Sequence, residues 1–174
     1  TSALNASQVT LLDFENDFVG NVALSVTGSV NLNDRNSLSV SGTAGDLDLT
    51  ALDAVQFHDL EVESLGVTAA SVTQTGALTV QQGTALSAGS VQLTDQSNNF
   101  LGVVQMNNVG EAELSDQNTL TLAGQVSSLR ATAANINQTE QSGPLAVANT
   151  ASFNGGDVDL LQAGNTFGGN VILN

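Results

Sequence analysis

The chain has no cysteine, no tryptophan, no tyrosine and no lysine. Without cysteine there is neither a disulfide framework nor a thiolate metal site. One histidine, His58, offers at most a single good ligand to a transition metal. Two arginines, Arg35 and Arg130, stand against 17 acidic residues, giving a net charge of −15. That balance excludes a nucleic-acid binder, because phosphate contacts need arginine and lysine, and it disfavours docking on anionic lipid. No apolar run approaches the ~18 residues that span a bilayer, so no membrane insertion is expected. A single proline, Pro144, removes the commonest chain breaker.

What remains is Val, Leu, Ala, Gly, Asn, Ser and Thr, arranged in repeats. Only 11% of residues are charged and 41% are hydrophobic, a composition that supports a folded core rather than disorder. Residues 8–51 fall on residues 90–133 at an offset of 82 without a gap, and 16 of the 44 positions are identical. Among them are Val9/Val91, Asn16/Asn98, Phe18/Phe100, Asp34/Asp116 and Gly42/Gly124. A third copy begins at Asp157 and stops at residue 174. We therefore divide a single domain, residues 1–174, into repeats at about 8–89, 90–156 and 157–174. Self-similarity on this scale signals units that bury apolar faces against their neighbours.

Period-2 alternation marks half-buried strands, as in Val30 and Leu32, Leu38 and Val40, Leu47 and Leu49, Leu120 and Leu122. The pattern predicts mostly short strands of three to five residues, separated by Gly, Asn, Asp and Ser. No stretch reads as a convincing amphipathic helix. Residues 50–60 are the nearest, and continued alternation makes them strand, turn, strand. Hairpin dipeptides are nearly missing: Asn154-Gly155 is the single strong one.

A second offset separates a barrel from a coil. Leu65, Thr68, Ala69 and Gln74 match Leu129, Thr132, Ala133 and Gln138 at 64, so the first copy carries 18 extra residues, about 47–64. A solenoid can gain a whole coil without disturbing the rest, whereas a barrel's strand number and shear are linked. We expect an all-β parallel β-helix, a solenoid of about eight or nine coils, some 40 Å long at ~4.8 Å per rung. Phe18, Phe100 and Phe167 should occupy equivalent points inside it.

The phrase GALTVQQGTALSAGSVQLTDQSNNFLGVV (76–104) and its partner GPLAVANTASFNGGDVDLLQAGNTFGGNV (143–171), with ASVTQTG (70–76) and ANINQTEQSG (134–143), resembles the repeats of filamentous-haemagglutinin-type exoproteins, very large bacterial adhesins. The resemblance implies a right-handed parallel β-helix, secretion to the bacterial cell surface and a role as stalk or adhesive surface. Partners would be neighbouring coils, end to end, in the same or another chain, and a host or cell-surface glycan or protein. The family's Asn-Pro secretion module is missing from this sequence, so we expect an internal segment.

Candidate sites are few. Asp13, Glu15 and Asp17 at alternate positions would share one face of a strand, making weak calcium candidates. Glu61 with Glu63, Glu111 with Glu113, and Asp157 with Asp159 form pairs of the kind a glycosidase uses, but no Trp or Tyr provides a sugar platform. The expected reading of all of them is a solvated outer face, with no catalytic residue and no cofactor. His58 should sit on a coil bend. Asn16, Asn98 and Asn165, with Gly20, Gly102 and Gly169, are expected at bends that tolerate left-handed angles. The sequons Asn5-Ala6-Ser7 and Asn137-Gln138-Thr139 are within chance for this composition, and Thr73/Thr75 with Thr119/Thr121 are too isolated for an ice-binding ladder. A non-enzymatic stalk is the expected function; a self-assembling filament subunit and a glycan-processing enzyme on the same fold are the alternatives.

Overall fold

The structure, a computed structural model, describes residues 1–174. It contains 17 strands, from Ser2–Ala6 to Val171–Leu173, and no helix. Every strand pair is parallel. The chain is a β-solenoid of about nine turns, and each turn passes through three stacks of strands. One turn shows the plan: Leu122 belongs to the first stack, Leu129 to the second and Ile136 to the third.

The alternating residues build the interior. In the first stack Val9, Val30, Leu47, Leu65, Thr84, Val104 and Leu122 lie directly above one another. In the second, Val72, Val91, Ala112, Leu129, Ala151 and Val171 do the same. In the third, Leu120, Ile136 and Val158 continue the line. Forty buried residues form one core, in which Phe57, Phe100 and Phe153 are the largest fully enclosed side chains. Parallel strands with one inward side need this ladder of like on like, since each apolar side chain is covered only by the rungs above and below.

Two local features add to the expected pattern of mostly short strands. Several strands are far longer than five residues: Leu38–Ala51 has 14 and Ala54–Gln74 has 21. The chain turns corners without leaving the ladder, because the backbone stays extended and paired to the neighbouring coil. Gly42 (φ 103°) and Gly124 (φ 98°), repeat equivalents of one another, absorb two such bends. Residues 50–60 do read strand, turn, strand, with Leu52 and Asp53 between two long strands. Second, Phe18, Phe100 and Phe167 do not share a ladder. The repeat does not contain a whole number of turns. Four steps down the first stack carry Val9 to Thr84, and its sequence copy, Val91, lies one stack further on. From Val91, three steps reach Ala151, and the next copy, Val158, is again one stack further. The difference of one step is the extra coil in the first repeat. Successive repeats therefore wind around the rod, each starting on a different side.

Candidate assembly surface

The winding places the repeated Asn loop at three different corners. Residues 12–18 join the first stack to the second, 94–99 join the second to the third, and 161–166 join the third to the first. Each loop holds its Asn in the same way. Asn16 Nδ2 donates to Leu11 O at 3.2 Å, Asn98 Nδ2 to Leu93 O at 3.2 Å and Asn165 Nδ2 to Leu160 O at 3.2 Å. None of the three has a positive φ; among non-glycine residues only Asn108 does. The loop asparagines are thus selected by their amides and not by a left-handed backbone.

The central loop shows the complete arrangement. Asn98 is fully buried. Its amide faces that of Gln74 on the preceding coil, with Gln74 Nε2 donating to Asn98 Oδ1 at 2.8 Å and Asn98 Nδ2 to Gln74 Oε1 at 2.9 Å. Leu78 N also donates to Asn98 Oδ1, at 2.9 Å. On the following coil, Asp116 accepts from Phe100 N at 2.6 Å and from Asn118 N at 2.6 Å. Three coils are clasped together, with Asn98 and Asp116 buried and Gln74 half-buried, so an unmade bond at Asn98 or Asp116 would leave a buried polar group unsatisfied. Burial nevertheless raises the Asp116 carboxyl above its ordinary pKa, against the lowering effect of the two backbone N–H donors.

The other two clasps are halves. At the first loop, Asp34 reproduces the downstream part, accepting from Phe18 N at 2.7 Å and Asn36 N at 2.8 Å. Nothing within the chain donates to Asn16 Oδ1. At the third loop, Gln138 reproduces the upstream part, exchanging bonds of 2.7 and 3.1 Å with Asn165, whose Oδ1 also accepts from Leu145 N at 2.8 Å. Gln74, Gln138, Asp34 and Asp116 were legible only as identical residues in the two offsets; their pairing needed the coil register.

At the last coil Val171, Ile172 and Leu173 are 47%, 44% and 66% exposed, although Val171 and Leu173 continue the inward ladder of Ala151 and Phe153. Phe167 meets Phe153 edge to face at 6.2 Å. Away from the ends, exposed apolar residues such as Leu52 and Leu101 are single and scattered among bends.

The polar outer surface places the remaining candidates. Asp13, Glu15 and Asp17 lie in a loop, not on one strand face. Asp13 Oδ1 accepts from Glu15 N at 2.9 Å, while Asp17 turns to Arg35 at 2.6 Å and Asn36 at 3.2 Å. Those hydrogen bonds, Asn36 first and then Arg35, hold the Asp17 carboxyl below its ordinary pKa. The three carboxylates do not converge, and no group of three or more His, Cys, Asp or Glu side chains in the chain could hold a metal ion. Glu61, Glu63, Glu111, Asp157 and Asp159 are exposed, and Glu113 lies 4.0 Å from Arg130. His58 bridges two coils, with Nε2 2.8 Å from Ser39 Oγ and Nδ1 2.6 Å from Thr75 Oγ1. This is a hydroxyl–imidazole ladder without a carboxylate behind the ring, so it lacks the third member of a hydrolytic triad. Asn5 is exposed, and Asn137 Oδ1 accepts from Thr121 Oγ1 at 2.7 Å. No helix is long and apolar enough to cross a membrane.

The chemistry on display is pairing of coil to coil, through main-chain ladders and amide clasps. No curated protein and no solved structure matches the chain. The family described as "Repeats of unknown function (DUF5649)" matches twice in tandem, over residues 44–107 and 109–174. The start-to-start distance of those matches is close to the 64-residue offset of the repeat without its extra coil. With most of the solenoid covered by these two units, the chain belongs to the DUF5649 repeat family.

Proposed function

We propose that this chain is a non-enzymatic structural segment of a secreted bacterial surface adhesin, a stalk that carries an adhesive surface away from the cell. The observation that carries the reading is the continuous parallel stack, in which each rung is hydrogen-bonded to the next and apolar ladders run along its interior. Such a rod resists bending, because bending must break a ladder on one side. Its lateral surface supports the same role. Outward acidic residues are never stacked on one another: Asp46 lies beside Ser64, Glu61 beside Thr43 and Thr79, Glu111 beside Ser90 and Ser128, and Glu113 beside Gln92 and Arg130. Like charges directly opposite would destabilise the sheet; interleaving them lets the rod keep a charge that opposes nonspecific sticking.

Separate chains stacking end to end into a filament form the second reading, since a parallel stack can take a further rung of matching register. Particle length measured by small-angle scattering over a concentration series separates the two. A stalk segment keeps a constant length of about 40 Å, and a filament subunit lengthens with concentration. A compact sphere at every concentration would reject both.

A further inference from the structure

One corner of the rod carries a cluster that neither the repeat nor the ladder explains. Between Met106 and Val109 the strand holds one residue more than the coil on either side: Asn107 and Asn108 together stand against Gln125, and residues 107–110 stand against 87–89. The bulge puts Asn108 at φ 57°, the one positive φ among the non-glycine residues. Asn107, Asn108 and Gln125 are exposed, and Gln105 is half-buried. Unlike Gln74, Asn98, Gln138 and Asn165, these four side-chain amides bond to nothing within the chain. At the offset of 82 their counterparts are Ala23 for Gln105, Ser25 and Val26 for the Asn pair, and Thr43 for Gln125. The repeat therefore folds elsewhere without an amide at any of the four positions. A left-handed backbone selects Asn at 108, but it does not account for the other three.

We propose that this corner is a binding site for a neutral saccharide. A cleft of about 420 Å³ lies over Gln105, Asn107, Asn108 and Gln125 and is walled by Gly143 and Pro144. Pro144 O accepts from Gly124 N at 2.8 Å, which fixes the wall to the floor. A second cleft, of about 440 Å³, shares Asn108, Gln125 and Ala146 with the first. No charged side chain lines either one, although the chain carries a net charge of −15. An anionic ligand finds no Arg or Lys there and is repelled by the acidic coat; a cation finds no carboxylate. An uncharged ligand whose groups both donate and accept is what remains. Each Asn or Gln amide offers two N–H donors and an acceptor oxygen, and every sugar hydroxyl is donor and acceptor at once. An extended peptide suits the corner less well, because peptides of that kind are held by a free sheet edge, and here the strand edges are taken up by the coils above and below. The bulge turns two successive amides toward the cleft side, at a backbone strain that the ladder itself does not require. With no Trp or Tyr to stack on a sugar ring, hydrogen bonds carry the contact, and binding is about millimolar. The site does not depend on the stalk reading.

The test is a titration of the full isotope-labelled chain, followed by NMR of its side-chain amides. The probes are maltotetraose, cellotetraose, mannotetraose and chitotetraose, with tetragalacturonate as the anionic control and a peptide of Gly and Ser as the peptide control. At least one neutral saccharide should move the signals of Gln105, Asn107, Asn108 and Gln125 saturably while the paired amides of Gln74 and Asn98 stay in place. Tetragalacturonate should move none of them. Asn108→Gly keeps the left-handed backbone and removes the amide; combined with Asn107→Ser it should weaken binding by about ten-fold or more, read at Gln105 and Gln125. If that double variant does not fold, Gln125→Ala, which leaves the bulge intact, should weaken binding in the same way. Absence of saturable shifts with all four neutral saccharides would overturn the proposal. So would unchanged affinity in the folded variants, or a larger response to the peptide or to tetragalacturonate. None of these results bears on the stalk reading, which stands or falls on particle length.

Discussion

At the scale of single residues, one buried polar atom differs from the others in having no partner. Thr84 stands in the first stack between Leu65 and Val104, and its Oγ1 is buried without a hydrogen-bond partner. A buried hydroxyl left unpaired costs about 1–3 kcal/mol, and valine has the same shape. Thr84→Val should therefore stabilise the fold by about 1 kcal/mol in urea unfolding; a loss of stability would mean that the hydroxyl is serving a partner the ladder does not supply. Asp116 gives a second test. Its pKa is raised by burial, so below that raised value the folded chain holds a proton that the unfolded chain releases above about 3.8. The group's contribution to stability is fully present below the unfolded pKa and is lost as pH rises through the folded one. Relative to Asp116→Asn, the wild-type chain should gain stability as pH is lowered through the raised pKa toward about 3.8, with no difference in slope well above the raised value. A parallel pH profile for the two proteins, or a slope of the opposite sign, would contradict the assigned burial effect.

At the scale of strands and corners, glycine decides where the chain turns. A Cβ on Gly42 would collide with Leu24 O, and one on Gly124 with Met106 O, both at positive φ. Gly143 has φ +83° but open space around it. Alanine at Gly42 or Gly124 should destabilise by roughly 3 kcal/mol, from strain plus the carbonyl contact, and at Gly143 by about 1 kcal/mol from strain alone. Equal effects at all three in thermal unfolding would show that the close approach at the corners is relieved. These elements also mark how far the sequence could be read. The alternation of Val30 with Leu32 and Leu120 with Leu122 follows directly from period 2, and the inward faces it predicts are the buried ones. The 18-residue surplus was legible because a solenoid absorbs whole turns. The loop around Asp13 was not, since alternate acidic residues look alike on a strand and in a turn, and only the bond from Glu15 N to Asp13 separates the two. Nor were the clasps: Gln74 and Asn98 are 24 residues apart, and their contact depends on the summed length of every bend between them.

At the scale of the whole molecule, stability should behave as a sum over neighbouring turns. Deleting residues 47–64 removes one turn and brings Asp46 to Leu65, which restores the first-stack register because Leu47 and Leu65 share a ladder. The shortened chain should fold and unfold cooperatively, with the rod shorter by about 4.8 Å. Deleting half as many residues puts inward side chains on the wrong stack and should abolish cooperative unfolding; equal tolerance of both deletions would contradict nearest-neighbour stacking. The winding of the repeats belongs to this scale too. Because each repeat starts one stack further round, the loops at Asn16, Asn98 and Asn165 face three directions, and no side of the rod accumulates all the bends.

The most direct test of the stacked-turn architecture is a distance between residues far apart in sequence. Thr10 and Gln105 point outward from the first stack, linked through Asn31, Asp48, Gly66 and Ala85. The absence of native cysteine allows a spin label at each of the two positions alone. Five rungs at ~4.8 Å place the two backbones about 24 Å apart, and double electron–electron resonance should return a single distribution near that value, broadened by the label arms. A distance short enough for directly paired strands, or a broad distribution without a maximum near it, would contradict the parallel solenoid on which the proposed stalk depends.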